Sequence, residues 1–438
     1  MSARVGRLRS WWMRLDPYVT RSVPKRFRAG MRYFWWYGVF LSTAEAFVGS
    51  YITLFIFALG GTSLQVGTLA SLSSLFGMLL PIPGARWAAK WGRLRPVVLI
   101  SFSLRQAMVL GAFLVPFITR EPVAVLLVIG VFALRAAFLH LGNSPWTTFA
   151  GQIIPTKVRG RYFSSRKTVM ALSSLIWVPL AGQLIGLFEG VLGYQIAFGI
   201  SVAVAAVALA LYGRIPEPET EDEAARGSKS QGLRELWHGL RSNKAFWRFT
   251  LISMFFNFAW QFASPYFGTY QVEVLGATSE VIGWLAMSSA LMRMVGQQLW
   301  GRAVDRRGAR WAFTLCMVFI PFLPFIWLPL NAPWQVVFVY IPSGFLWAGR
   351  AVANFNLQLE LAGEERQTES IATYNTLLAL ANILGPLLGG WMVTAFSYQI
   401  VFVLSGIGRG VAAILFVLLL KPFDLTSRFD RRRRSALS

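Results

Sequence analysis

Two apolar runs, each long enough to cross a membrane, are separated by the stretch Gly301-Arg302-Ala303-Val304-Asp305-Arg306-Arg307-Gly308-Ala309-Arg310. An earlier stretch resembles it: Ala85-Arg86-Trp87-Ala88-Ala89-Lys90-Trp91-Gly92-Arg93-Leu94-Arg95. The alignment that places Gly283 on Gly67 also places Gly308 on Gly92 without a gap. Both copies are basic and contain glycine, but only the later copy has an acid, Asp305. We infer that the chain consists of two related halves.

The composition is that of an integral membrane protein. Of the 438 residues, 55% are hydrophobic and only 14% are charged, whereas soluble proteins average about 25% charged residues. The net charge is +23, but the basic residues lie in short runs between apolar segments and form no surface for nucleic acid. The chain has one cysteine, Cys316, and two distant histidines, His140 and His238. We therefore predict no disulfide framework, no metal site and no cofactor.

Apolar runs of about 20 residues can cross the hydrocarbon core of a membrane as helices, and the chain contains twelve of them. The predicted fold is an all-α integral membrane protein with twelve transmembrane helices in two pseudo-symmetric six-helix bundles. The spans are predicted at about 33–58, 64–84, 96–118, 122–145, 167–188, 190–213, 246–271, 278–300, 311–330, 334–357, 370–396 and 399–420.

Arginine and lysine predict the orientation. They concentrate before the first span, in alternate loops and after the last span, whereas the opposite loops contain only Arg120. Basic loops stay in the cytoplasm, so we expect a multi-pass protein of the cell membrane with both termini cytoplasmic. The predicted segments are a basic N-terminal segment (1–32), an N-terminal bundle (33–213), a cytoplasmic linker (214–245), a C-terminal bundle (246–420) and a basic tail (421–438). Residues 1–32 either lie on an anionic leaflet or only set the topology.

Two motifs resemble those of the major facilitator superfamily of secondary transporters. The pattern Gly301-x-x-x-Asp305-Arg306-x-Gly308-x-Arg310 is similar to the cytoplasmic loop signature of that superfamily, and Lys90, Gly92 and Arg93 remain from a second copy. The run Gly385-Pro386-Leu387-Leu388-Gly389-Gly390 resembles its helix-packing motif. The resemblance implies two six-helix bundles, alternating access and no covalent chemistry, so no enzymatic activity is expected. It also implies a cavity lined by spans one, four, seven and ten.

Polar residues inside these four spans are candidates for the path of solute and protons, because ionisable groups in a membrane are rare and costly. Glu45 is the only acid deep inside any predicted span. It is either a proton carrier or the partner of Arg135 or Arg350 in a structural ion pair. The candidates are Glu45, Arg135, His140, Asn143, Asn257, Gln261, Arg350, Asn354 and Gln358. The resemblance places Arg105 and Arg409, in spans three and twelve, outside the cavity, where we expect structural roles.

The basic loops are predicted to act as latches on the cytoplasmic side. The resemblance implies that Asp305 caps a helix of the other half, near Arg166–Thr168; the alternative is that it only neutralises nearby charge. The second loop has lost its acid, and the loop after span ten has gained several. We infer that Arg86, Lys90, Arg93 and Arg95 pair with Glu360, Glu364, Glu365 and Glu369, unless this difference is evolutionary drift.

The predicted function is secondary active transport of a small organic solute by alternating access, coupled to protons through Glu45. The excess of arginine in the spans favours an anionic or amphipathic solute over a cation. No nucleotide-binding motif is present, so we expect no direct use of ATP. A multidrug or amphipathic-compound efflux pump and a non-transporting receptor or scaffold on the same fold are the alternatives. The expected partners are the solute, protons and membrane lipids, without nucleic acid, and we expect a monomer.

Overall fold

The computed structural model describes residues 23–119, 122–217, 243–362 and 367–419. Every regular element in these ranges is a helix. Most of the predicted N-terminal segment, the linker and the basic tail lie outside the described residues. The same holds for Arg120, Glu364, Glu365 and Arg366.

Six spans form the N-terminal half. We number them α1 (Lys25–Ala46 and Ile52–Ala58), α2 (Ser63–Leu79 and Pro81–Trp91), α3 (Leu94–Ile118), α4 (Val123–Ile153), α5 (Thr156–Gly186) and α6 (Leu192–Gly213). Proline lacks a backbone N–H and distorts helices; accordingly, α2 bends by 43° where Pro81 begins its second helix. The break in α1 has no proline and follows Glu45 directly, where the Gly49 N–H donates to the Glu45 carbonyl at 2.8 Å.

Six more spans form the C-terminal half. They are α7 (Lys244–Glu273), α8 (Ser279–Arg307), α9 (Ala309–Phe319, continued through a 3₁₀ turn to Leu323–Ile326), α10 (Val337–Ala362, preceded by the 3₁₀ turn Pro333–Val336), α11 (Gln367–Ala395) and α12 (Tyr398–Leu419). In the described residues, eight helices have the length and hydropathy of a membrane span, or nine with the bent α2. The other three, α1, α7 and α8, carry polar or charged residues. The predicted twelve-span architecture is confirmed.

The two halves meet near one end of the bundle. We call the side where α1 begins and α12 ends the terminal side, and the opposite side the far side. On the far side α2 packs against α11 and α5 packs against α8. A methyl group added to Gly67 would come within 2.9 Å of the Pro386 carbonyl oxygen, and one added to Gly283 within 3.0 Å of Pro179 Cα. Glycine permits this approach because it has no side chain.

These far-side contacts occur at equivalent positions of the internal repeat. The sequence alignment pairs Gly67 with Gly283 and Pro179 with Pro386, and each glycine packs against the proline-containing helix of the other half. The two contacts are therefore pseudo-equivalent, and the two halves form a pseudo-symmetric pair. Polar contacts reinforce the far side, since Ser63 of α2 hydrogen-bonds Tyr398 of α12 at 2.5 Å.

Candidate functional site

A cavity of about 1090 Å³ lies between the two halves. Its walls come from α1 and α5 of the N-terminal half and from α7, α8, α9, α10 and α12 of the C-terminal half. Its charged wall residues are Glu45, Arg293 and Arg409. Spans one, seven and ten line the cavity as the family resemblance implies. Span four contributes no residue to this wall, and acts instead through a side chain that reaches Glu45.

Glu45 is held by two arginines from neighbouring helices. Arg135 of α4 donates through one terminal nitrogen to both carboxylate oxygens, each at 2.7 Å. Arg105 of α3 also donates to the carboxylate. Both arginines are buried, whereas the Glu45 side chain is 41% exposed because it faces the cavity. We call these three residues the Glu45 cluster.

The Glu45 cluster decides between two sequence-based interpretations of ion pairing. Arg135 is the partner of Glu45, as one alternative held, and Arg350 makes no contact with it. Arg105 lies outside the cavity wall, as the resemblance implies, and its long side chain reaches from α3 to the Glu45 carboxylate. One carboxylate serves two guanidinium groups, which leaves the cluster with a formal charge of +1. Breaking such a buried pair from one side costs about 3–5 kcal/mol.

The C-terminal half holds two buried arginines without an acid. Arg350 of α10 is 9% exposed and lies over the rings of Phe256 (4.6 Å) and Trp347 (5.3 Å). Arg409 of α12 is 1% exposed and forms part of the cavity wall. Neither arginine makes an ion pair in the part of the chain that the structure describes. The expectation that Arg409 lies outside the cavity is wrong. We call Arg350 and Arg409 the arginine pair.

The other polar candidates in α7 and α10 connect helices and do not line the cavity. Asn257 donates to Asn382 of α11, and Gln261 packs against Gly385 of the same helix. Asn354 accepts a hydrogen bond from the Tyr374 hydroxyl at 3.2 Å. Gln358 is also buried. The predicted polar stripes are thus distributed among helix contacts.

The remaining candidates of α4 lie apart from the Glu45 cluster. His140 is half-buried and packs against Gly77 of α2, because a methyl group added to Gly77 would meet the imidazole at 3.1 Å. Asn143 is exposed. Neither residue belongs to the cavity wall.

An aromatic pair and a third arginine complete the cavity. The rings of Trp260 in α7 and Trp347 in α10 have centroids 4.5 Å apart, and both tryptophans line the wall. Arg293 of α8 is exposed to the cavity. The wall therefore offers positive charge beside a flat apolar surface, an arrangement suited to an organic molecule.

Comparison with known proteins identifies the chain. The family model of the Major Facilitator Superfamily matches residues 34–279 and 258–436. The chain belongs to the major facilitator superfamily. As members of this superfamily are transporters, the cavity between the two halves of this transporter is its candidate solute site.

Relatives and similar structures are distant. The human protein Solute carrier family 67 member A1 is 25% identical over 150 residues, which is 33% of this chain and 35% of that protein. The crystal structure of the nucleoside transporter NupG has a TM-score of 0.70 at 14% identity, covering 89% of this chain and 100% of the other. A bacterial homologue of the human lysosomal transporter Spinster, solved inward-facing and occupied, has a TM-score of 0.67 at 14% identity, covering 92% and 98%. These structures establish the fold of this transporter.

The loop signature lies mostly on a helix of this transporter. Gly301–Arg307 forms the last turns of α8, and the chain turns only at Gly308, which has a φ of 84°. Asp305 and Arg306 are exposed. Asp305 makes no hydrogen bond or ion pair with any described residue, so it caps no helix in this conformation. Arg310 begins α9.

The second loop copy shows a different set of partners. Gly92 ends α2 with a φ of 63°, and Lys90 and Arg93 are exposed. Arg95 lies 3.8 Å from the carboxylate of Glu217, four residues after the end of α6. Arg95 therefore has a partner next to α6 and not in the loop after span ten. For Arg86, Lys90 and Arg93 the predicted pairing stays a prediction, because Glu364 and Glu365 lie outside the described residues.

The helix-packing motif brings α11 close to α7 and α2. Gly385 and Gly389 lie against the backbone of Phe262 in α7, where a methyl group would overlap it. The Pro386 carbonyl accepts a hydrogen bond from the Tyr266 hydroxyl. Gly390 faces Leu64 of α2, so the end of this motif lies at the contact between the halves.

Proposed function

We propose that this protein is a secondary active transporter that moves a small organic solute across the cytoplasmic membrane by alternating access. The observation that carries the proposal is the cavity between two pseudo-symmetric halves, closed on the far side by packed glycines. A cavity of about 1090 Å³ accommodates a small organic molecule with its water.

The terminal side is proposed to face the cytoplasm. The basic residues between spans, including Arg86, Lys90 and Arg302, lie on that side, in line with the positive-inside rule. Far-side closure then corresponds to an inward-facing state. This fits the likeness to the Spinster homologue in its inward-facing conformation.

Exchange between states requires the far-side contacts to separate. The packing of Gly67 and Gly182 against the other half would open, and the terminal side would close. The exposed Asp305 is then available to cap the N-terminus of α5, which begins at Thr156 and not near Arg166–Thr168 as predicted. A carboxylate at a helix N-terminus contributes about 0.3–1 kcal/mol, a suitable magnitude for a latch that must also release.

Proton coupling is proposed to act through Glu45. The charged groups that contact its carboxylate are Arg105 and Arg135, and the cavity supplies water to its open side. Protonation removes the negative charge and releases both guanidinium groups from their shared partner. The cluster then carries a formal charge of +2 and attracts an anion more strongly. Proton and anionic solute would therefore bind together.

The test uses purified protein in liposomes loaded with a pH-sensitive dye. Carboxylates, phosphate esters, nucleosides and sugars are added outside in turn. We expect one class to drive proton movement, and an imposed pH gradient to drive accumulation of that solute. Glu45→Gln should abolish gradient-driven accumulation while solute exchange across the membrane continues. Transport that ignores the gradient would refute coupling, and binding without any flux would favour a non-transporting receptor.

A further inference from the structure

We propose that the arginine pair is a binding site for an anionic group of the solute, with the Trp260–Trp347 surface receiving its aromatic or apolar part. The site lies in the C-terminal half, away from the Glu45 cluster. The solute would be an organic anion such as an aromatic carboxylate or phosphate monoester. This inference rests on the proposed transport function and assigns its substrate class.

The first support is the state of Arg409. Its side chain is 99% buried yet belongs to the cavity wall. Its Nε and one terminal nitrogen have no hydrogen-bond partner among the described residues. The nearest stabilising contact described is with the Phe267 ring, at 5.9 Å from the guanidinium carbon. A buried cation without a partner is strongly unfavourable, so this position is built for a ligand that brings negative charge.

The second support is Arg350, whose guanidinium lies over the ring of Trp347, a residue of the cavity wall. Its cationic group is partly stabilised by three rings, those of Phe256, Trp347 and Phe313. Its Nε also lacks a hydrogen-bond partner in the described ranges. Arg350 and Arg409 are both buried cations of the C-terminal half, so each attracts an anion in the cavity. Arg350 therefore acts as a positioning residue that strengthens the field at Arg409.

The third support is the neighbouring surface. Trp347 lies under the guanidinium of Arg350 and stacks near Trp260, so the positive charge and the flat rings form one continuous region. A guanidinium binds carboxylate or phosphate through two parallel hydrogen bonds, and tryptophan contributes apolar contact to a ring. A simple inorganic anion would use only the first of these features.

A purely structural role explains the arginine pair less well. A structural arginine in a membrane protein normally pairs with an acid or with carbonyl groups, as Arg105 and Arg135 do with Glu45. The arginine pair has neither type of partner in the described residues. Within one molecule, Arg105 and Arg135 thus have an acidic partner, and the arginine pair has none among the described residues.

The experiment measures thermal unfolding of the purified full chain in detergent. The only cysteine, Cys316, is buried, so a thiol-reactive fluorogenic dye reports unfolding. The probes are phenyl phosphate, phenylacetate, inorganic phosphate, benzyl alcohol, benzylammonium and phosphatidylglycerol. We expect a saturable rise of the unfolding temperature with the two aromatic anions and a weaker rise with inorganic phosphate. No rise is expected with the neutral or cationic ring.

The variants separate binding from folding. Arg409→Gln should raise the half-saturating concentration of phenyl phosphate at least tenfold. Arg409→Lys, which keeps the charge but loses the paired geometry, should raise it less. The matched control is Arg214→Gln, since Arg214 is exposed at the end of α6 and outside the cavity wall; this variant should bind as the wild type does.

Several results would refute the proposed anion-binding site. They are the absence of an anion-specific shift in the wild type, an unchanged shift in Arg409→Gln, or a shift produced by phosphatidylglycerol alone, which would indicate a lipid site. Failure of the transport proposal looks different, because anion binding would persist without any solute-driven proton movement. Conversely, coupled transport of a neutral solute that is unaffected by Arg409→Gln would refute only this site.

Discussion

The N-terminal and C-terminal halves share a fold but treat buried arginine in opposite ways. In the N-terminal half, Arg105 and Arg135 share the carboxylate of Glu45. In the C-terminal half, Arg350 and Arg409 lie among aromatic rings, and neither forms an ion pair with a described residue. The first half supplies its own counter-ion, and the second half leaves that role to a ligand.

This difference suggests that the N-terminal half binds the proton and the C-terminal half selects the solute. A cluster with an internal acid can change charge by binding a proton. A pair without an acid keeps its positive charge and selects for negative solutes. Proton binding and solute selection can then be altered separately by substitution, which makes the comparison testable.

The largest expected effect is on stability. Glu45→Ala leaves two buried arginines without a partner, so we expect the free energy of unfolding to fall by about 3–5 kcal/mol. Arg350→Met removes a buried charge that has no acid partner in the described residues, so its effect should be neutral or stabilising. Denaturant unfolding in detergent compares the two variants. Equal losses in both variants would contradict the distinction between arginines with an acidic partner and arginines without one.

An intermediate effect is expected at the far side, where the halves resemble each other most. Gly182→Ala would overlap the backbone of Ser279 across the interface, at a cost of about 1–3 kcal/mol to the closed contact. Spin labels at Glu189→Cys and Val274→Cys, both exposed on that side, should report a longer distance in this variant. Gly160→Ala is the control, as no atom outside its own helix backbone lies within 4 Å of the added methyl group. An unchanged distance in Gly182→Ala would show that this contact does not hold the far side closed.

The smallest effect is expected at the loop signature. Asp305 is exposed and unbonded within the described residues, so Asp305→Asn should leave unfolding in this state unchanged. If Asp305 caps a helix only in the other state, its loss destabilises that state by about 0.3–1 kcal/mol, a two- to fivefold change in the population ratio. Transport rates in liposomes and the far-side spin-label distances measure this shift. A large loss of stability would instead assign Asp305 a structural role.

Much of the fold was predictable because lipid imposes a simple rule on sequence. A segment that crosses lipid as a helix must be largely apolar, so hydropathy predicts most of the spans, whereas α1, α7 and α8 carry polar or charged residues. The glycine and proline registers predict that the halves are related. The contacts of Gly67 and Gly283 with the other half agree with that repeat.

The site was less predictable from the sequence. Helical spacing shows which residues share one face of a helix, but it does not show which other helix or cavity that face contacts. Asn257 and Gln261 share a face, but this face meets α11 and not the cavity. Arg409 was expected outside the cavity but belongs to its wall, and the contact of Arg105 with Glu45 was not predicted. The position of a span does not determine how far a long side chain reaches. The sequence did contain a signal for these residues. An arginine inside an apolar span is costly and marks a functional or paired position.

The break in α1 lies between Glu45 and a contact that keeps the far side closed. Glu45 is the residue before the last one of the first helix of α1. Tyr51, just before the second helix, donates to the Val178 carbonyl of α5 at 2.5 Å, beside the far-side contact. The carboxylate and the closed contact are thus separated by one short turn of chain. If the two are linked, protonation of Glu45 changes the equilibrium between the closed and the open far side by some factor. Closing the far side must then change the proton affinity of Glu45 by the same factor. Acidity alone, without any solute, would then bias the direction in which the empty transporter faces.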